Sequence, residues 1–217
     1  MESIYSMVAF FQKGGLFMYP ILLAFAVGMA IAVERWVQLS LIRTRNRKMW
    51  SLVQPSLIEG DFDQAREITN DDKSTIAQML SMGLARQGAV RRREDIEIAM
   101  EESMMEIIPQ LEKRTPYIAL LSNIATLLGL LGTIMGLIAA FTAVASANPA
   151  EKADLLSASI SVAMNTTAFG LMAAIPLLLL HAKLTSTTGQ IVDSLEMASV
   201  KALNAISNSS KRQFPVG

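Results

Sequence analysis

Small and hydroxyl-bearing side chains recur at helical spacing in two otherwise apolar segments of the chain. Gly129, Thr133 and Gly136 follow one another at intervals of three or four residues, so they share one face of a helix. Hydroxyl and carbonyl oxygens can replace part of a cation's hydration shell, whereas small residues let two helices pack closely. The pattern therefore favours either one wall of an ion path or tight helix packing. The residues concerned are Thr133, Thr166, Thr167, Gly129, Gly136, Ala163 and Gly170 for the ion path, and Gly132, Ala140 and Ala174 for packing.

Neither segment carries an ionisable side chain in its interior. Residues 115–150 contain no Asp, Glu, Lys, Arg or His, and His181 is the one such residue in 155–182. Because His181 lies near the end of its segment, we expect it at the membrane interface rather than in catalysis. A proton path through a membrane usually needs a buried carboxylate or histidine. If this protein conducts protons, a second protein must supply that group.

Composition places the chain among membrane proteins. Of its 217 residues, 52% are hydrophobic and 18% charged, whereas soluble domains carry about a quarter charged residues. The formal net charge is zero, which gives no electrostatic case for a nucleic-acid partner.

The same composition argues against an enzyme. The chain has no cysteine and a single histidine, which excludes thiolate and multi-histidine metal centres within one chain. It also has no nucleophile elbow or phosphate-binding loop. We therefore expect no enzymatic activity, no bound metal and no cofactor.

Three apolar blocks predict an all-α membrane protein with three transmembrane helices and long cytoplasmic helical extensions. About 20 apolar residues cross a hydrocarbon core, and each block is at least that long. Lys and Arg are concentrated between the first two blocks, which places the N-terminus in the periplasm. The predicted segments are a periplasmic N-terminal segment 1–15, transmembrane helices 16–39, 115–145 and 155–182, a cytoplasmic helical region 40–114, a periplasmic loop 146–154, and a cytoplasmic C-terminal helix and tail 183–217.

The polar region between the first two blocks should be helical, with two interruptions. Gly60 followed by Asp61 predicts a helix end and a new N-cap, and 70–72 predicts a second break. The last helix of this region is expected to run straight into the second membrane helix, with kinks at Pro109 and Pro116. At the end of the first block, Glu34 and Arg35 are expected to be a solvated boundary pair.

Two sequence stretches resemble the signature helices of the MotA/TolQ/ExbB ion-channel family. They are GLLGTIMGLI at 129–138 and TTAFGLMAAIP at 166–176. Supporting matches are VER at 33–35, GDF at 60–62 and PQLEKRTPYIALLSNIA at 109–125. The resemblance covers nearly the whole chain. It is closest to the ExbB and TolQ subgroup, because MotA-type stators have a fourth membrane helix.

This resemblance implies an ion-conducting subunit of an inner-membrane motor driven by an ion-motive force, in a bacterium with a Gram-negative envelope. It implies a pentamer of this chain around two copies of a single-span partner similar to ExbD or TolR, which carries the membrane aspartate. Ion flow would drive rotation, and a TonB-like protein would pass the work to envelope transport. By the same resemblance, Thr133 and Thr167 match the pore-lining threonines of the family.

The sequence departs from the ExbB/TolQ pattern at three positions. Relatives carry a Glu five residues before the threonine of the motif TAxGL, and Val162 stands there, which makes it a further ion-path candidate. Thr166 replaces a small residue, and Thr126 stands where many relatives have Pro. A lost carboxylate with a gained hydroxyl resembles the stator branch, which includes sodium-driven members. The coupling ion is therefore either H⁺ or Na⁺, with a possible Na⁺ path at Thr133, Thr166 and Thr167.

Three functional hypotheses stay open at the level of sequence. The first is the ExbB-like motor subunit. The second is a TolQ-like subunit for envelope maintenance or a MotA-like stator subunit. The third is a non-conducting membrane scaffold that uses the glycine-rich face only for assembly. A neighbouring gene for a TonB-like, a Pal- or TolA-like, or a peptidoglycan-binding single-span protein would distinguish the motor types.

Overall fold

The computed structural model describes residues 15–87 and 93–213, which form six α-helices. Of the predicted N-terminal segment, residues 1–14 lie outside the described residues. The helices are α1 (Met18–Glu59), α2 (Phe62–Asn70), α3 (Thr75–Arg86), α4 (Arg93–Glu112), α5 (Thr115–Ser146) and α6 (Lys152–Gln213).

Three helical stretches among the described residues are long and apolar enough to cross a membrane. They lie in α1, in the stretch of α4 and α5, and in α6. Only 22% to 33% of their most apolar windows is buried within the chain. The rest must be covered by lipid or by protein, because exposed apolar area is costly in water. The predicted all-α membrane fold is confirmed, whereas the side of the membrane on which the N-terminus lies stays a prediction.

The first compact unit comprises Met1–Glu34 and Arg114–Lys183. It contains the three membrane-spanning parts of the chain. Its core forms where small and large side chains of α1, α5 and α6 meet. Large apolar side chains such as Leu23, Leu127 and Leu179 point away from the unit and are more than 60% exposed. The core residues are Ile21, Ala125 and Ala173, with Phe25, Leu128 and Phe169 packed against them.

The helix is interrupted between α4 and α5, where a continuous helix kinked by prolines was expected. That expectation is wrong, because α4 ends at Glu112 and Arg114 has a left-handed backbone with φ of 66°. Pro109 lies inside α4, and Pro116 lies in the first turn of α5, where a missing N–H breaks no helical hydrogen bond. Arg114 Nη1 donates to Glu34 Oε1 at 2.5 Å, which ties the start of α5 to α1.

The second compact unit comprises Arg35–Lys113 and Leu184–Gly217. Both predicted interruptions are confirmed within it. Gly60 has φ of +82°, and the Asp61 carboxylate accepts from Gln64 N at 3.0 Å, which caps α2. The Ser74 hydroxyl accepts from Ala77 N at 3.3 Å and caps α3. The largest fully buried side chains of this unit are Leu39, Met79, Leu80, Leu84, Met100, Leu111, Leu184 and Ile191.

Arg35 is buried rather than solvated, which corrects the expectation for the boundary pair. Its side chain is 4% exposed, and its guanidinium donates to the Leu111 carbonyl and to Gln38 Oε1. A buried guanidinium is tolerated when carbonyl and amide oxygens accept its protons. These acceptors explain why a charge next to an apolar block lies in the interior.

Candidate functional site

The backbones of α5 and α6 come into direct contact at Gly129 and Gly170. A Cβ added at Gly129 would lie 3.2 Å from Gly170 Cα, and one at Gly170 would lie 2.8 Å from Ala125 O. These neighbours are backbone atoms, so they cannot move aside without shifting a helix. The crossing therefore requires glycine at position 170 and leaves little room for a side chain at position 129.

The other small residues of the two predicted faces continue this contact along the helices. A Cβ at Gly132 would lie 2.4 Å from Thr166 Cγ2, and a Cβ at Gly136 would lie 2.8 Å from Ala163 Cβ. The structure thus brings together the glycine-rich face of α5 and the small-residue face of α6. Within one chain, these positions serve tight helix packing.

Two hydroxyls meet at the Gly129 carbonyl beside this crossing. Thr133 Oγ1 is 3.1 Å and Thr167 Oγ1 2.9 Å from Gly129 O, and the two hydroxyls also bond to each other. Three oxygen contacts are present but only two hydroxyl protons, because each threonine has one. Each hydroxyl oxygen also has two lone pairs, so this hydroxyl cluster is richer in acceptors than in donors. Both threonines are half-buried.

The structure places Thr166 differently from its neighbour Thr167. Thr166 is 2% exposed, its methyl group packs at Gly132, and its hydroxyl donates to Val162 O at 3.0 Å. Val162 is half-buried and lies 3.4 Å from where a Cβ of Gly15 would be. Thr166 and Val162 therefore lie beside the hydroxyl cluster. Their part in an ion path stays a prediction.

Ser122 makes a polar contact between helices that was not predicted from the sequence. It is fully buried, and its hydroxyl donates to Ala174 O at 2.8 Å, which links α5 to α6. The predicted packing residues Ala140 and Ala174 are also buried. The signal was present, because Ser122 and Ala125 extend the spacing of Gly129 and Gly132 by two more turns.

Charged side chains lie far along the chain from the hydroxyl cluster. In the described part of this unit, no Asp, Glu, Lys, Arg or His lies between 115 and 150 or between 155 and 180, the stretches that hold the hydroxyl cluster. Across the described ranges, no group of three or more His, Cys, Asp or Glu residues is placed to hold a metal. The charged or titratable residues in the described part of this unit are Glu34, Arg114, Glu151, Lys152, Asp154, His181 and Lys183.

Comparison with known proteins decides the family. A sequence profile of the MotA/TolQ/ExbB proton channel family matches residues 71–197, which is more than half of the chain and includes every candidate site residue. The chain belongs to the MotA/TolQ/ExbB proton channel family. This is a family of channels rather than of enzymes. With three membrane-capable helices, membership indicates an inner-membrane protein.

Individual relatives agree with this assignment. The chain is 29% identical over 189 residues to biopolymer transport protein ExbB-like 1 of Synechocystis sp., covering 84% of this chain and 72% of that protein. It is 26% identical over 189 residues to a biopolymer transport protein ExbB homolog of Methanothermobacter thermautotrophicus, covering 86% and 66%. The Tol-Pal system protein TolQ of Haemophilus influenzae is 35% identical over 86 residues, covering 40% and 37%.

Proposed function

We propose that this chain is the ion-conducting subunit of an ExbB-like, ion-driven motor in the inner membrane. The observation that carries the proposal is the hydroxyl cluster at Gly129 O. It offers unused oxygen lone pairs inside a segment without a charged side chain. Such oxygens suit a partly dehydrated cation or a proton donor that comes from another chain.

The apolar segments of this chain have no interior carboxylate, so the proposal needs a partner protein that supplies one. We expect a single-span protein of the ExbD or TolR type to bring a membrane aspartate to the hydroxyl cluster, with two copies inside a pentamer of this chain. A TonB-like protein would then transmit the motion to envelope transport. The ExbB names of two relatives that match most of this chain support this choice.

A threonine-to-valine exchange tests the proposal. Thr133→Val with Thr167→Val keeps the side-chain shape but removes both hydroxyls. We expect the double variant to assemble with its partner and to lose ion flux in reconstituted vesicles. Thr142→Val is the matched control, because Thr142 also bonds to the carbonyl four residues earlier on α5 but is exposed. Full flux in the double variant would overturn the role of the two hydroxyls, and absence of flux in the unaltered complex would instead support a non-conducting scaffold.

The coupling ion is a separate part of the proposal. Thr133, Thr166 and Thr167 give an oxygen-rich region, and Val162 lacks the carboxylate of the ExbB/TolQ pattern. We propose H⁺ as the coupling ion, with Na⁺ as the alternative. Ion flux should persist when sodium is removed at constant pH, and strict sodium dependence would overturn the proton assignment.

A TolQ-like role is the second candidate. The identity to TolQ is higher than that to the ExbB-like relatives, but it covers only 40% of the chain. Co-purification with the single-span product of a neighbouring gene would decide between them. Capture of a TonB-like protein supports the ExbB role, and capture of a TolA- or Pal-like protein supports the TolQ role. A peptidoglycan-binding partner would indicate a MotA-like stator.

A further inference from the structure

The part of α1 within the second unit carries an unbalanced positive charge. Residues 35–59 contain five cations and one acidic residue, Glu59, and four of the cations lie within 43–48. None of the four takes part in an ion pair among the residues that the structure describes, where the pairs are those of Arg66, Arg86 and Arg114. Like charges this close on one helix repel each other, so a bound anion would stabilise them. The four cations are Arg43, Arg45, Arg47 and Lys48.

Two of these cations line a cavity together with a third from another part of the chain. The cavity has a volume of about 330 Å³. From α1 it receives Arg45 and Lys48, and Lys73 comes from the segment that leads into α3. None of these three side chains makes an ion pair in the described ranges. The remaining lining residues are Met49, Leu52, Asp72 and Ser74.

The acidic side chain in the cavity is already engaged. Asp72 Oδ1 accepts from Ser74 N at 2.6 Å, and Ser74 is the N-cap residue of the twelve-residue helix α3. Three cations therefore face one carboxylate that is held by the backbone. The positive end of the α3 dipole adds to the attraction for an anion.

We propose that this cavity, defined by Arg45, Lys48 and Lys73, binds a phosphate-bearing anion. Arginine offers a planar fork that matches phosphate oxygens, and lysines add point charges. Met49 and Leu52 supply an apolar wall, which suits the glycerol and upper chain of a phospholipid as well as a soluble organic phosphate. The shared chemistry is the phosphate group. The site is separate from the hydroxyl cluster, so it stands whether or not the chain conducts ions.

The test uses the full chain purified in a neutral maltoside detergent, with binding measured by calorimetry. One arm adds dioctanoyl phosphatidylglycerol, with dioctanoyl phosphatidylcholine as the neutral reference, and the other adds inorganic pyrophosphate. We expect binding in at least one arm. A response to phosphatidylglycerol alone identifies a lipid headgroup, and a response to pyrophosphate identifies a soluble phosphate.

Two double variants that each remove two positive charges distinguish binding in the cavity from a general attraction to the positive charge of α1. Arg45→Gln with Lys48→Gln should weaken binding by about tenfold or more, since it removes two of three cavity cations. Arg43→Gln with Arg47→Gln alters the same helix outside the cavity and should change affinity by less than about threefold. Asp72→Asn should tighten binding.

Three results would overturn the proposal. They are equal losses in the two double variants, no binding of either phosphate compound by the unaltered chain, and binding of a polyglutamate peptide without binding of phosphate. Circular dichroism of each variant would confirm that its helices are intact.

Discussion

At the scale of single residues, the contact between Gly129 and Gly170 depends on the absence of a side chain at position 170. The atoms that a methyl group would meet at Gly170 belong to the backbone of α5, at 2.8 and 3.0 Å. Gly189 lies on the same helix α6, but a Cβ there would meet nothing within 4 Å. The same substitution, glycine to alanine, should therefore have opposite effects on stability at Gly170 and at Gly189.

We predict that Gly170→Ala destabilises the protein by about 1–3 kcal/mol, because the helices must separate to admit the methyl group. Gly189→Ala should stabilise it by about 0.5–1 kcal/mol, since alanine favours a helix over glycine. Thermal unfolding of the purified variants in detergent measures both effects. Equal stability of the two variants would contradict the close contact at Gly170.

Ser122 gives a second prediction at this scale. Ser122→Ala removes the buried hydrogen bond to Ala174 O, and polar contacts between membrane helices contribute about 0.6 kcal/mol on average. We expect a loss of that size in unfolding free energy. Ser146→Ala is the control, because that hydroxyl is exposed and bonds only within α5. A larger loss in the control would show that the bond between helices is unimportant.

At the scale of elements, Arg66 connects α2 to the end of α3. Its Nε donates to Leu84 O at 2.8 Å, and its Nη2 donates to the backbone and side-chain oxygens of Gln87. The last carbonyls of a helix have no partner within the helix. The guanidinium of Arg66 therefore adds a second donor to Leu84 O, which also accepts from Gln87 N at 3.2 Å, and supplies a donor to Gln87 O.

We predict that Arg66→Ala lowers the unfolding free energy by about 1–2 kcal/mol, because several hydrogen bonds to a charged donor are lost. Arg86→Ala should cost less than about 1 kcal/mol, since the ion pair that the described residues show for Arg86, with Glu102 at 4.0 Å, is exposed. Chemical unfolding followed by helical circular dichroism compares the two. If Arg86→Ala costs as much as Arg66→Ala, the capping role of Arg66 is wrong.

Local elements were predictable where the signal lies within a few residues. Gly60 and Asp61 supply the left-handed residue and the cap that separate α1 from α2, and both can be read from the sequence. The partners of Arg35 could not be read in this way, because Leu111 is 76 positions away. The break at Arg114 was missed for a related reason. Its backbone conformation accompanies an ion pair with Glu34, 80 positions away.

The candidate site was predictable in its composition but not in its geometry. Helical spacing identified Gly129, Thr133 and Gly136 as one face, and the structure keeps them together. Spacing could not tell that Thr166 packs against Gly132 whereas Thr167 joins Thr133. That choice depends on how α6 is rotated against α5, which is a property of the packed pair.

At the scale of the whole molecule, the orientation in the membrane is the next prediction. The chain has no cysteine, so a single introduced cysteine is the only target for a thiol reagent. A membrane-impermeant maleimide should label Asn148→Cys from the periplasmic side. It should label Ser51→Cys only after the inner membrane is opened. The reverse pattern would place the N-terminus in the cytoplasm and would contradict the positive-inside argument.

The glycine contact at the crossing of α5 and α6 also has a consequence for suppressor genetics. The atoms nearest to a methyl group at Gly28 would be those of the Leu177 side chain, at 2.8 and 2.9 Å, so Leu177→Ala can restore the lost space. At Gly170 the facing residue is Gly129, which is already the smallest amino acid. No second substitution at that facing position can make room. Positions 28 and 177 can therefore drift together during evolution, whereas revertants of Gly170→Ala should be true reversions or changes remote from the contact.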